Sequence, residues 1–194
     1  MTDLPQQPPT LTDGVVTLTQ MSESDVEQLV VNCQDPAAVR WTTVPDPYDA
    51  DAARWYLLEH APEAWRAGTA FNWAVHDTDG YLLGTVELGR IRGTSADIGL
   101  NFGPHARGTG AALAACRLMM DYAFNILGFT HLHWIAFDGN WASVKLSWKL
   151  GFGQPVFIPG YLEQRGEIRD CWLATIRATD SRELAYEWRV PASS

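Results

Sequence analysis

A strand–turn–helix–strand unit at residues 96–137 restricts the fold of this chain more than any other feature of its 194 residues. Ala96–Phe102 and His131–Phe137 each predict a strand. Between them the apolar residues of a helix, from about Arg107 to Leu127, fall on one face, and Gly128 closes the helix. Because a crossover through one helix joins parallel strands, the unit predicts a sheet with a parallel pair at its centre.

The remainder of the chain adds strands and helices around this unit. Three neighbouring strands, predicted to form an antiparallel meander with turn residues between them, span residues 71–76, 81–91 and 96–102. One strand and two helices precede the meander, while a short helix and two strands follow the central unit. This order predicts one α/β domain at residues 14–190. Residues 1–13, rich in proline, and residues 191–194 are expected to be flexible tails.

The charge and cysteine content exclude several classes of protein. The net charge is −9, from 14 basic and 23 acidic side chains, and no run of Lys or Arg indicates a nucleic-acid partner. A negative surface favours cationic partners such as amines or basic proteins, although solubility explains the same charge. Cys33, Cys116 and Cys171 form neither a disulfide framework nor a zinc site, so we expect no metal. With no signal-peptide features and no apolar run long enough for a bilayer, we expect a cytoplasmic protein.

The turn Arg107-Gly108-Thr109-Gly110-Ala111-Ala112 follows a strand and opens a helix. The first turn of a helix leaves N–H groups unpaired and carries positive potential, so it is suited to a phosphate, and glycine lets the backbone approach the ligand. A purely structural turn explains two glycines equally well. A dinucleotide fingerprint needs a third glycine where Leu113 stands, and no P-loop sequence is present. A nucleotide-binding oxidoreductase is therefore disfavoured.

A second motif lies about thirty residues further on, at Asn140-Trp141-Ala142-Ser143 and Lys149-Leu150-Gly151-Phe152. Asn140 is a good N-cap for the short helix. Ser143 falls in the first turn, where its hydroxyl can face the same cleft as the glycine turn. The alternative is that both residues only cap the helix.

Together the two motifs resemble the GNAT N-acetyltransferase superfamily, and especially its RimJ/RimL branch of ribosomal-protein N-terminal acetyltransferases. The resemblance covers about residues 15–176. It rests most on Ile98-Gly99-Leu100, Arg107–Gly110, Asp121–Phe124, Asn140, Ser143 and Gly151-Phe152. The resemblance implies a single-domain α/β GNAT-like fold, in which a mixed, mostly antiparallel sheet is splayed at its centre and flanked by helices.

The resemblance also implies acetyl-CoA, or another acyl-CoA, as co-substrate and assigns residues to it. The backbone of residues 107–112 would hold the pyrophosphate. Leu100, Asn101 and Phe102 would pair with the amides of pantetheine, and Asn140 would contact the pantetheine arm. Ser143 would be the acid for the departing thiolate, because the position at which many relatives have a tyrosine is Ser147 here.

The other side of the cleft must supply a base and bind the acceptor. Glu87 and Asp97 are the candidate bases, although a strand carboxylate is often only solvated or hydrogen-bonded. Trp41, Tyr48 and Tyr161 are candidates for acceptor binding, with core or interface packing as the alternative.

These assignments predict an N-acyltransferase that moves an acetyl group from acetyl-CoA to a primary amine, either a protein N-terminus or a small amine. The amine attacks the thioester directly, so no covalent nucleophile is required. One alternative is a non-catalytic CoA-binding or regulatory module. Another is a longer donor such as succinyl-CoA, which a basic residue deep in the cleft would favour. The resemblance also allows a homodimer, and neither nucleic acid nor membrane is an expected partner.

Overall fold

The computed structural model describes residues 5–191 and contains one eight-stranded sheet, with the strand order 1-2-3-4-5-6-8-7. The strands are β1 (Leu11–Thr12), β2 (Thr17–Thr19), β3 (Phe71–His76), β4 (Leu82–Arg92), β5 (Ser95–Phe102), β6 (His131–Phe137), β7 (Val156–Gln164) and β8 (Glu167–Arg177).

Six α-helices flank the sheet. They are α1 (Val26–Gln34), α2 (Pro36–Trp41), α3 (Ala50–Arg54), α4 (Ala61–Ala67), α5 (Ala111–Asn125) and α6 (Trp141–Lys149). A π-helical segment (Trp55–His60) joins α3 to α4, and short 3₁₀ turns cover Glu23–Asp25 and Pro104–Ala106. Within residues 5–191, none of these helices combines the length and the apolarity that a membrane span requires.

The sheet splays at its centre. Strands β5 and β6 form its parallel pair, and they are in register only from Ser95–His131 to Ile98–Trp134. Beyond this point β5 continues to Phe102 and β6 to Phe137 without pairing to each other, because the two strands diverge. The predicted mixed, mostly antiparallel GNAT-like sheet is therefore confirmed.

Each face of the sheet has its own apolar core. On one face α5 and α6 pack against strand residues that include Trp73, Leu88 and Trp134. On the other face α1, α3 and the π-helical segment pack through residues such as Leu29 and Leu57. Fully burying a side chain of this size contributes about 1.5–3 kcal/mol, so the two cores hold the strands firmly around the splay.

The proline-rich segment predicted as a tail contacts the body of the protein. Leu11 and Thr12 form the edge strand β1. Further upstream, the indole N–H of Trp65 donates to the carbonyl of Pro5 at 2.7 Å, and that of Trp73 donates to the carbonyl of Pro9 at 3.1 Å. Residues 1–4 and 192–194 lie outside the described residues, and the domain boundaries at residues 14 and 190 stay predictions.

Two helix boundaries differ from the sequence-based expectation. Helix α5 begins at Ala111 rather than near Arg107, because Gly108 and Gly110 adopt φ of 77° and 86° and keep the turn non-helical. The dipeptide Asp35-Pro36 predicts the end of a helix, because proline restricts the residue before it. In the structure the same dipeptide also begins α2. The Asp35 side chain accepts from the N–H of Ala37 at 3.0 Å, and proline is well suited to a first helical position.

Candidate active site

A cleft of about 870 Å³ passes through the splay and connects the two faces of the sheet. Leu100 packs with the core under α5 and α6. Glu87 and Asp97 alternate with residues of that same core, so their side chains point to the opposite face. All three residues line the cleft. A ligand bound in the gap between β5 and β6 therefore meets chemical groups from both faces.

The turn before α5 presents free backbone N–H groups to the cleft. Within it the N–H of Arg107 donates to the carbonyl of Pro104, and that of Thr109 donates to Ala106. The N–H groups of Gly108, Gly110 and Ala112 donate to none of residues 5–191, and these three residues line the cleft. Three converging donors at a helix N-terminus make a site for an anion such as a pyrophosphate.

Two residues of the predicted turn lie on its other side. Thr109 and Ala111 line a separate cavity of about 480 Å³ together with His105. The Thr109 hydroxyl donates to the carbonyl of Ala106 at 2.9 Å and accepts from the N–H of Ala111 at 3.2 Å. Their part is therefore to shape the turn rather than to face the cleft. The Arg107 guanidinium lines the cleft but forms an ion pair with Asp35, which links the turn to α2.

The last residues of β5 form an open strand edge. Asn101 and Phe102 pair with β4 on one side, whereas their β6 side has no strand partner among the described residues. Unpaired N–H and C=O groups of such an edge can pair with an extended ligand. The Asn101 side chain points elsewhere, since its Nδ2 lies 3.2 Å from the Cys33 sulfur. Burial raises the pKa of that thiol to about 11, so it stays protonated.

Helix α6 positions Ser143 at the wall of the cleft. The Asn140 side chain caps the helix by accepting from the N–H of Ser143 at 3.3 Å, as the N-cap prediction expects. The Trp134 indole N–H donates to the Ser143 hydroxyl at 2.9 Å. Because the hydroxyl oxygen already accepts from Trp134, its own proton is left to donate into the cleft. Ser147, one turn later, is buried and donates to the carbonyl of Val144.

Glu87 faces the splay across a strand position that has no side chain. Its partner in β5 is Gly99, where a Cβ would lie 3.5 Å from the Cβ of Glu87. Its carboxylate occupies the space over Gly89, where a Cβ would approach to 2.2 Å. Burial raises the pKa of Glu87, while the nearby charges of His60 and Arg90 act in the opposite direction. A raised pKa makes this carboxylate a stronger base than an exposed one.

Asp97, the other candidate base, forms ion pairs with two arginines. Its Oδ1 accepts from Arg92 Nη2 at 2.5 Å, and its Oδ2 lies 3.7 Å from Arg90 Nη1. The residue is buried, with 7% of its surface exposed. Of the two candidates, Glu87 therefore has the geometry of a free base.

The three residues predicted to bind the acceptor have different surroundings. Trp41 ends α2 and lines the cleft, with the guanidinium of Arg40 4.5 Å from its ring centre. Tyr48 is 6% exposed and packs in the core with α1 and α3, so the structure removes it from the cleft. Tyr161 is 41% exposed on β7 and does not line the cleft, whereas its neighbour Leu162 does.

The tip of the β7–β8 hairpin contacts residues 39–44 beside the cleft, a contact that no local motif predicted. The buried Gln164 amide donates to the carbonyls of Val39, Arg40 and Thr42, at 3.4, 3.0 and 2.7 Å. Arg165, at φ of 51°, donates to the carbonyl of Val44 at 2.9 Å. We call this contact between residues 164–165 and residues 39–44 the hairpin clasp. It fixes the position of Trp41 and Leu162 relative to each other.

Other residues that line the cleft were also missed. They are small, apolar or basic side chains of α2, the following loop, β4 and α6: Ala37, Ala38, Thr42, Thr43, Arg90, Ala142, Lys145 and Lys149. Ala142 and Lys149 lie within the second motif but were not assigned to the site. No local motif marks the others, because each reaches the cleft only through the packing of its element on the sheet.

The sequence and the fold both have known counterparts. A sequence model described as the acetyltransferase (GNAT) domain matches residues 16–153. No curated protein matches the chain significantly. RimJ from Mycobacterium smegmatis, solved with CoA-disulfide, superposes with a TM-score of 0.80 at 21% identity, over 90% of each chain.

Two further solved structures share the fold. A ribosomal-protein-S5-alanine acetyltransferase from Vibrio fischeri has a TM-score of 0.76 at 18% identity, over 89% of this chain and 98% of its own. A chimera based on the spermidine N-acetyltransferase of Vibrio cholerae has a TM-score of 0.70 at 21% identity, over 84% of this chain and 96% of its own. At these low sequence identities, the structural similarity establishes the fold alone.

Proposed function

The chain belongs to the GNAT acetyltransferase family, and from this premise we propose that it transfers an acetyl group from acetyl-CoA to a primary amine by direct attack. The family match confirms the class predicted from the sequence, an N-acetyltransferase. The observation that carries the finer proposal is one cleft with a hydroxyl donor, Ser143, on one face of the sheet and a free carboxylate, Glu87, on the other.

The cleft suits CoA as the carrier of the acyl group. The N–H groups of Gly108, Gly110 and Ala112 would hold the pyrophosphate, since they are unpaired and converge at the start of α5. The open edge of β5 from Leu100 to Phe102 would pair with the pantetheine amides. Asn140 and Ser143 would contact the pantetheine arm from the α6 side. The thioester then lies in the gap between β5 and β6.

Glu87 is proposed to remove the proton of the attacking amine. An ammonium ion has no free electron pair, so it must lose a proton before the nitrogen attacks the thioester carbon. Glu87 points to the acceptor face, and Gly99 leaves the space between its carboxylate and the splay open. Burial raises the pKa of Glu87, which makes its carboxylate a stronger base toward the ammonium proton.

Ser143 is proposed to serve the departing sulfur. As the C–N bond forms and the C–S bond breaks, the electron pair of the broken bond stays on sulfur as a thiolate. The Ser143 hydroxyl has its proton free, because its oxygen accepts from Trp134. A donor at this position lowers the free energy of the transition state as the charge develops.

The acceptor is proposed to be a slender primary amine, either a protein N-terminus or a small molecule. The solved structures with this fold carry names of both kinds, a ribosomal-protein acetyltransferase and a spermidine acetyltransferase. The hairpin clasp holds Trp41 and Leu162 on the acceptor side of the cleft. These two side chains supply apolar surface for the chain that carries the amine. We also propose that the chain forms a homodimer. The molecular mass measured by analytical sedimentation tests this.

Two measurements test the proposal. Calorimetry with acetyl-CoA should detect binding to the folded protein. The absence of binding at millimolar acetyl-CoA would contradict the proposed acetyl transfer. Thiol release should then be followed across N-terminal peptides, polyamines and amino-acid derivatives. Release of CoA that depends on the amine supports the transferase. Binding without acceptor-dependent release across the whole panel supports a CoA-binding module instead.

A further inference from the structure

Arg90 occupies an unusual backbone position beside the cleft. The pairing of β4 with β5 is regular up to Gly89–Asp97 and resumes at Arg92–Ser95, so a β-bulge lies between them. Arg90 lies in the bulge at φ of 43°, in the left-handed region that strains a residue with a Cβ. Glycine would adopt this conformation without strain, whereas arginine does not. Strained residues of this kind are concentrated at functional sites, so the Arg90 side chain is a candidate for a functional role.

The guanidinium of Arg90 lacks a close partner within residues 5–191. Asp97 is its nearest carboxylate, but the distance from Arg90 Nη1 to Asp97 Oδ2 is 3.7 Å, too long for a hydrogen bond. The other carboxylate oxygen accepts from Arg92 at 2.5 Å. Two arginines thus share one aspartate, and the charge of Arg90 also acts on the Glu87 carboxylate. Neither carboxylate accepts a hydrogen bond from Arg90, so its N–H donors remain available to a ligand. About half of the Arg90 side chain is exposed, and it lines the cleft.

Arg90 lies toward the closed end of the splay. The parallel pair of β5 and β6 closes the gap at Ile98–Trp134, and Asp97, the neighbour of Arg90, is one residue further in. Glu87 is on the same face and is assigned to the proton of the amine, which leaves Arg90 free for another anionic group. Guanidinium binds carboxylates through paired N–H donors, and this geometry gives specificity as well as affinity.

We propose that Arg90 binds a carboxylate carried by one of the two substrates in the cleft. The carboxylate belongs either to the far end of a dicarboxylic acyl group on CoA, such as succinyl, or to the amine acceptor. This inference rests on the proposed acyl transfer and deepens it, because it names the anionic group that the cleft selects.

Calorimetry with two matched pairs of ligands tests the inference without requiring turnover. The first pair is succinyl-CoA and butyryl-CoA, bound to the free protein. The second pair is an amino-acid amine and its carboxamide, bound to the protein saturated with CoA. In one pair the carboxylate form should bind about tenfold to a hundredfold more tightly, the range expected for a hydrogen bond between charged groups. Arg90→Met should remove that preference, and Arg90→Lys should keep part of it.

Two further variants separate binding from backbone effects. Arg90→Gly relieves the strain at φ of 43° and removes the guanidinium, so it should lose the preference while the protein stays folded. Arg117→Met removes an exposed arginine of α5 that does not line the cleft, so it should keep the preference.

The outcomes are distinct. A preference in the first pair assigns the carboxylate to the acyl group, and a preference in the second assigns it to the acceptor. Equal affinities within both pairs, or a preference that survives Arg90→Met, would overturn the inference. Failure of the proposed function appears elsewhere, as an absence of amine-dependent thiol release, and leaves these affinities measurable.

Discussion

The two halves of the cleft recognise their ligands with different parts of the chain. On the side of α5, the groups proposed to hold the phosphates and amides of CoA are mainly backbone groups: the N–H groups of Gly108 and Gly110 and the open edge of β5. The side chains of Asn140 and Ser143 join them from α6. On the acceptor side the groups that face the cleft are side chains, chiefly Glu87, Arg90 and Trp41. Backbone groups are fixed by the fold, whereas a side chain can change without altering the fold. Under the proposed function, this difference assigns cofactor binding to the shared fold and the selectivity of this chain to the acceptor half.

The largest effect is expected from Glu87→Gln, which removes the base and keeps the shape of the side chain. The rate of amine acetylation should fall by about 10²- to 10⁴-fold, the usual contribution of general base catalysis. Acetyl-CoA affinity, measured by calorimetry, should change little, since the acyl carrier is held by backbone groups. Glu63→Gln, on the exposed side of α4, is the control. An active Glu87→Gln variant would remove this residue from the mechanism.

The pH dependence of the unmodified protein, and the thermal stability of the variant, sharpen the assignment. Burial raises the pKa of Glu87, and the base works only when ionised. As the pH is lowered, kcat should therefore begin to fall at a higher pH than it would with an exposed glutamate as the base. Because the pKa of Glu87 is raised in the folded state, its protonated form stabilises the fold relative to the ionised form. This stability is lost as the pH rises through the folded-state pKa. At neutral pH Glu87→Gln should therefore have an equal or higher melting temperature. A lower one would point to a structural role.

A smaller loss is expected for Ser143→Ala, about tenfold to a hundredfold in kcat. The hydroxyl is the candidate donor to the thiolate, and its removal leaves the Trp134 indole without its partner. Ser147→Ala, one turn further along α6, is the matched control because that hydroxyl bonds only within the helix. Unchanged turnover in Ser143→Ala would assign the departing thiolate to another donor.

The backbone half of the cleft is tested by a pair of glycines with nearly the same conformation. Gly108 and Gly80 have φ of 77° and 82°, and a Cβ at either position meets no atom within 4 Å. Alanine should therefore strain both turns alike, by about 1–2 kcal/mol. Only Gly108→Ala should weaken acetyl-CoA binding, by about tenfold, because only Gly108 lines the cleft. Equal losses of affinity would show that turn strain, rather than the turn's N–H groups, controls binding.

The smallest effect is expected from Gln164→Met, which breaks the hairpin clasp. Three carbonyls of residues 39–42 lose their donor, and Trp41 is no longer fixed relative to Leu162. Each lost neutral hydrogen bond contributes about 0.5–1.5 kcal/mol, and only the part of this loss that displaces Trp41 affects the amine, so its KM should rise about three- to tenfold. Acetyl-CoA affinity should stay within about twofold, because the groups proposed to hold CoA are not part of the hairpin clasp. Gln154→Met, at an exposed position, is the control. A change in cofactor affinity instead would contradict the division of the cleft.

The same division explains what could be predicted from the sequence. The glycine turn and the Asn140–Ser143 pair are local motifs, in which neighbours along the chain are neighbours in space. Their placement follows from helix and strand geometry alone. Even there, the sequence could not reveal that Thr109 and Ala111 turn away from the cleft, because the φ angles of the two glycines decide which N–H groups face it.

The acceptor half is assembled from segments far apart in the chain. Gln164 meets residues 39–42 more than 120 positions away, and Arg90 enters the cleft through a bulge that no turn sequence marks. Tyr48 shows the converse: its residue type fits an acceptor site, yet its ring packs in the core. Such choices depend on packing between distant elements, and residue type alone does not determine them.

Direct transfer between the two halves is tested most directly by a single-turnover reaction with equimolar acetyl-CoA and an accepted amine, followed by mass spectrometry of the amine, the CoA and the protein. We expect equal amounts of acetylated amine and free CoA, unmodified protein throughout, and a much slower reaction in Glu87→Gln. An acetylated protein formed before the amine is added, or CoA released without acetylated amine, would contradict direct attack in this cleft.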